Sequence, residues 1–85
     1  MSDKKLRIAV LGAAGQSGRA CVDRALAAGH DVCAFDRSLE AWNAWQDVYG
    51  APPEKAKLCF GDIVSYASVE AAVAGCDAII HACVY

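Results

Sequence analysis

Ile8-Ala-Val-Leu11 runs directly into Gly12-Ala-Ala-Gly15-Gln-Ser-Gly18-Arg-Ala-Cys-Val22. The apolar tetrad, bounded by glycine, has the pattern of a strand buried on both faces. Three glycines then recur at intervals of three. Beyond them Val22, Ala25 and Leu26 share one helical face. Strand, glycine turn and helix, in that order, form the setting in which a dinucleotide-binding glycine motif operates. Each glycine has its own task. Gly12 lets the chain leave the strand at a φ closed to other residues. Gly15, lacking a Cβ, lets a pyrophosphate approach the backbone, and Gly18 lets the helix lie close to the sheet. The N–H groups of Gln16 and Ser17, at the positive end of the helix dipole, then face the phosphates.

A plain glycine turn that opens a helix would need the same local residues. A nucleoside triphosphate P-loop does not fit. Counting from Gly12, Ser17 stands where the second glycine belongs, and Arg19 is not followed by Ser or Thr. No lysine is placed to reach the β- and γ-phosphates.

Outward from the glycines, the chain alternates between strand and helix. The first strand covers about Leu6 to Leu11. The first helix runs from about Gln16 to Ala28 and closes at Gly29, which can enter the left-handed conformation. His30, in that cap, reads as a solvated loop residue. Asp31 to Asp36 form the second strand, and Ser38 is an N-cap for a helix from about Leu39 to Tyr49. On this second helix Leu39, Trp42, Gln46 and Tyr49 share one face, and Ala41, Trp45 and Val48 a neighbouring one. Both tryptophans read as packing residues. Gly50-Ala-Pro52-Pro53 breaks the helix. A third strand covers Ala56 to Phe60, a third helix Tyr66 to Ala74 with Gly75 as its stop, and a fourth strand Asp77 to Val84. The pattern βαβαβαβ argues an α/β fold with a parallel sheet. Right-handed crossovers give the strand order 3-2-1-4, half of a doubly wound, Rossmann-like fold.

Size and composition agree with one small, apolar domain. The chain has 85 residues, of which 56% are hydrophobic, a content suited to a buried parallel sheet or a piece of a larger core. A net charge of −2 offers no basic footprint for nucleic acid. The five cysteines, Cys21, Cys33, Cys59, Cys76 and Cys83, show no paired spacing and sit mostly in apolar stretches. They read as small buried hydrophobes in a reducing cytoplasm, without zinc or a disulfide framework. The apolar run after Lys4-Lys5 is too short for a signal sequence and contains Arg7, so it reads as a first strand. No run approaches the length of a membrane span.

Asp36 adds a second, independent match. It closes the second strand, roughly 20 residues beyond the glycine turn, where a carboxylate accepts hydrogen bonds from the adenosine ribose. Arg37 beside it pulls the other way on cofactor choice. Asp36 repels a 2′-phosphate and Arg37 attracts one, and the balance of these charges favours NAD, with NADP as second choice.

The GAAGQSGR stretch, with its G-x-x-G-x-x-G spacing, resembles the short-chain dehydrogenase/reductase superfamily, especially its extended, epimerase/dehydratase-like branch. The likeness covers nearly the whole chain. Gly29-His-Asp-Val-Cys-Ala-Phe-Asp36-Arg37-Ser is similar to that family's second-strand segment. Phe60-Gly-Asp62-Ile63 resembles its third-strand signature, which implies that Asp62 meets the adenine amino group and the Ile63 N–H a ring nitrogen. Val73-Ala-Gly-Cys-Asp77-Ala-Ile-Ile-His81-Ala82 is similar to its fourth strand, beside the nicotinamide-side ribose. There Cys83 replaces the family's usual small alanine. The cofactor residues implied by this resemblance are Gly12, Gly15, Gln16, Ser17, Gly18, Asp36, Arg37, Asp62, Ile63, His81 and Ala82.

The family's catalytic tyrosine, with a lysine four residues on, follows the fourth strand. No such pair occurs here: Tyr49 is followed by Pro53, Tyr66 by Glu70, and Tyr85 is the final residue. Residues 1–85 therefore read as an NAD(P)-binding half-domain, truncated after its fourth strand and without catalytic residues of its own. Three functions compete. One is the N-terminal fragment of an oxidoreductase, sugar epimerase or dehydratase. Another is a non-catalytic NAD(P)-sensing module resembling the NmrA-type branch. The third is an α/β interaction domain that binds no nucleotide. The exposed fourth strand, with Ile79, Ile80, Ala82 and Val84, is also expected to promote self-association.

Overall fold

In the computed structural model, residues 5–44, 46–50 and 53–82 are described, without the side chain of Tyr49. The apolar run Arg7–Leu11 is the first strand, β1. It lies second from one edge of a four-stranded parallel sheet, flanked by β2 (Asp31–Asp36) and β4 (Ala78–His81). β3 (Lys57–Phe60) pairs with the far side of β2. The order β3-β2-β1-β4 is the one expected from right-handed crossovers.

Register follows the pleat. Ile8 pairs with Val32 and Ala78, and Val10 with Ala34 and Ile80. These side chains face α1 (Gln16–Ala27) and α2 (Leu39–Asn43), where Val22, Ala25 and Trp42 complete the larger core. The alternate residues Leu11 and Phe35 face α4 (Tyr66–Val73) and pack with Ala72, Val69 and Ile63. Burial of the central strands on both sides explains their continuous apolar sequence.

Caps set the helix ends. Gly29 follows α1 at φ +89°, the left-handed conformation that closes a helix. Ser65 caps α4, its hydroxyl accepting from the Ser68 N–H at 3.3 Å. Asp77 accepts from the Arg7 N–H at 2.9 Å and so ties the start of β4 to β1.

The second helix differs from its sequence reading. It ends at Asn43, and a separate short helix, α3, covers Gln46–Tyr49. Trp45, between them, lies outside the described residues, as do the side chain of Tyr49 and residues 83 and 84 of the expected fourth strand. The Trp42 carbonyl, in the last turn of α2, accepts from the buried Arg19 side chain, and that use of a helix-end carbonyl suits an early stop.

The cysteines depart from the expectation of unpaired thiols. Cys33 and Cys59 are disulfide-bonded, with Cα atoms 6.4 Å apart. They lie diagonally on neighbouring strands, since Phe35 is the register partner of Cys59 and Lys57 that of Cys33. Their separation of 26 residues hides this pairing from any spacing rule. Cys21 and Cys76 are free thiols.

Candidate nucleotide-binding site

At the C-terminal end of β1, Gly12 turns the chain at φ +80°. The turn hangs on β2: the Gly12 and Ala13 N–H groups both donate to Phe35 O, at 2.9 and 3.0 Å. The next amide, Ala14 N–H, donates to Asp36 Oδ2 at 2.9 Å. Asp36 Oδ1 accepts from its neighbour Arg37 N–H at 2.7 Å. The carboxylate at the end of β2 thus faces the glycine turn and fixes it.

Two glycines of the motif have different surroundings. A Cβ on Gly18 would run into the Gly12 carbonyl and stand 2.7 Å from Ala13 Cα. Gly18 is therefore required where α1 crosses the turn itself, a closer constraint than helix-to-sheet packing. A Cβ on Gly15 would meet only Gly12 O, at an ordinary 3.7 Å. Protein packing leaves Gly15 open, with room for a Cβ beside it.

Gly15 is also the N-cap of α1, and no side chain caps this helix end. The first-turn N–H groups of Gln16 and Ser17 have no intrahelical acceptors. They border a cavity of about 620 Å³, a size usual for small-molecule sites. Its walls include Gly12, Gly15, Asp36, Arg37, Ile63 and Ala82.

Three of the sequence-derived residues stand outside that wall. Gly18 lies beneath the turn. Asp62 is exposed and its Oδ1 accepts from Val64 N–H at 3.0 Å, a turn closed within its own loop. His81, exposed at the end of β4, is the register partner of Leu11. Conversely, the sequence reading left out Ala14, Phe35, Ala41, Ala44 and Gly61, all of which border the cavity. For Ala41 and Ala44 a signal existed: small residues three apart on a helix facing the site. Gly61 is confined by packing, since a Cβ there would come within 2.8 Å of Ser68 Cβ and 3.1 Å of the Phe35 ring.

A parallel sheet with a glycine turn, an uncapped helix start and a strand-end carboxylate at one crevice defines a nucleotide-binding α/β module. The chain belongs to the NAD(P)H-binding family, which matches residues 12–84. No curated protein sequence matches it. Solved structures with the same fold include Pen from Bacillus thuringiensis, at 22% identity and a TM-score of 0.80, aligned over 100% of this chain and 27% of that one. They also include AtPrR2 with NADP+ and (+)-pinoresinol, at 24% identity and a TM-score of 0.71, aligned over 95% of this chain and 27% of that one. The chain thus spans about a quarter of the length of these structures. Among the described residues, no helix is long and apolar enough to cross a membrane.

Proposed function

We propose that the chain is the NAD(P)-binding N-terminal part of a short-chain dehydrogenase/reductase-type oxidoreductase, sugar epimerase or dehydratase, with its catalytic residues supplied elsewhere. The observation that carries this reading is the Asp36–Ala14 hydrogen bond, which holds a carboxylate and a phosphate-type glycine turn at one cavity. Family membership supports a dinucleotide over an interaction domain without nucleotide.

The residues present fit the cofactor. Gly12, Gly15 and Gly18 shape the turn, and the Gln16 and Ser17 amides take the diphosphate. Each Asp36 oxygen accepts one backbone N–H, and a carboxylate oxygen has a second lone pair left for a ribose hydroxyl. Ile63 and Arg37, in the cavity wall, would take the adenosine side and Ala82 the nicotinamide-side ribose, while Asp62 and His81, outside that wall, would have to turn toward the adenine and the ribose to take part. Asp36 favours NAD, because its charge opposes a 2′-phosphate. The bound nicotinamide supplies hydride-transfer chemistry.

We also propose a cytoplasmic setting. Self-association through β4 belongs to the same reading. Within the described residues β4 pairs only with β1, and Ile79 is 55% exposed. Titration with NADH, NADPH and ADP-ribose tests the central reading. Micromolar-to-millimolar binding dominated by the ADP-ribose part is expected; binding that depends on the nicotinamide ring alone would contradict it.

A further inference from the structure

Arg19 stands one residue past the third glycine, and the dinucleotide reading gives it no role. It is only 6% exposed. Its Nε donates to Ala14 O at 2.7 Å, Nη1 to Gly50 O at 2.8 Å, and Nη2 to Trp42 O. The guanidinium carbon lies 4.6 Å from the centroid of the Trp42 ring. Burying a guanidinium is costly unless its donors are satisfied. Among the described residues, the planar fork reaches three carbonyls from three separate segments.

The identity of those carbonyls matters. Trp42 O lies in the last turn of α2, and Gly50 O directly follows α3. Helix ends carry unsatisfied carbonyls and favour a positive charge. Ala14 O belongs to the glycine turn. Ala14 is therefore held from both sides, its N–H by the Asp36 carboxylate and its C=O by the Arg19 guanidinium. Gly15, Gln16 and Ser17 come next in the chain.

We propose that Arg19 is a positioning residue that ties the glycine turn to the α2–α3 segment, so that the turn's amides hold their diphosphate-binding geometry before the nucleotide arrives. The proposal rests on the dinucleotide reading above. It attributes the effect to the shape of the fork rather than to its charge. A lysine ammonium keeps the charge but cannot span three carbonyls or stack a planar face on Trp42. Rigidity set in advance raises affinity by removing an ordering cost from the binding step.

The test titrates the 85-residue chain with ADP-ribose and with adenosine, followed by backbone-amide NMR shifts, in wild type, Arg19→Gln, Arg19→Lys and Trp42→Phe. Arg19→Gln is expected to weaken ADP-ribose about tenfold while adenosine changes less than about twofold, because only the diphosphate needs the preorganised turn. Arg19→Lys falls in the same direction. Trp42→Phe gives a smaller loss with the same selectivity, and it decides the matter if Arg19→Gln does not fold. An equal loss for both ligands, no loss, or an Arg19→Lys variant that matches wild type would overturn the proposal. Failure of the wild-type chain to bind either ligand would instead remove the dinucleotide reading itself, and the diphosphate role of Arg19 with it.

Discussion

Asp36 Oδ2 and the Ala14 N–H meet at 2.9 Å across 22 residues of sequence. This bond joins the end of β2 to the glycine turn after β1, and so joins two features that the sequence offers only separately. It also places a negative charge at the cavity wall, where it bears on cofactor choice.

Asp36→Asn should separate these roles. The amide oxygen can still accept from Ala14, but a hydrogen bond to a charged group is worth about 1 kcal/mol more than a neutral one. NADH affinity is expected to fall about fivefold, since each 1.4 kcal/mol is a factor of ten. NADPH affinity falls less, because the charge opposing its 2′-phosphate is gone. Paired titrations check this, and an unchanged NADH-to-NADPH ratio would speak against a ribose-facing Asp36.

Gly18→Ala and Gly15→Ala should behave oppositely. At Gly18 the new methyl collides with the turn backbone, and overpacking of this kind costs about 1–3 kcal/mol of stability. At Gly15 the methyl has room in the protein, so the cost is confined to the N-cap preference for glycine over alanine, about 0.5–1 kcal/mol. Nucleotide affinity nevertheless drops in Gly15→Ala, because the methyl points into the space left for the diphosphate. Urea unfolding and ADP-ribose titration on both variants give the comparison.

The Cys33–Cys59 bridge closes a loop with a sequence separation of 26. For that separation chain entropy predicts about 3.5 kcal/mol of stabilisation. Urea unfolding with and without a phosphine reductant should show a difference of that order. A Cys33→Ser variant should unfold at the same midpoint whether reductant is present or absent.

Self-association through β4 is checked by light scattering at micromolar concentration. The expected outcome is a dimer or larger species that Ile79→Lys shifts toward monomer, since a charge on an edge strand blocks pairing. A monomeric wild type would contradict it.

Much of the fold was legible because its signals are local. Buried parallel strands announce themselves as apolar runs, as in Ile8–Leu11, and Gly12 and Gly29 mark turns that need a positive φ. Strand order followed from the handedness of crossovers. What stayed hidden depends on contacts between distant residues. No periodicity shows that Arg19 reaches Trp42 and Gly50, or that the helix after Ser38 stops at Asn43. Likewise Cys33 and Cys59 look unrelated until β2 and β3 are in register. Asp62 illustrates the reverse case: a residue singled out by family likeness accepts from Val64 N–H, inside its own turn.

The most direct measurement is an amide NMR titration of the 85-residue chain with ADP-ribose. The largest shifts should fall at Gly15, Gln16 and Ser17, with a second group at Asp36 and Arg37. Saturable binding whose shifts leave those residues still, or no binding at millimolar ligand, would contradict the assignment of this turn as the diphosphate site.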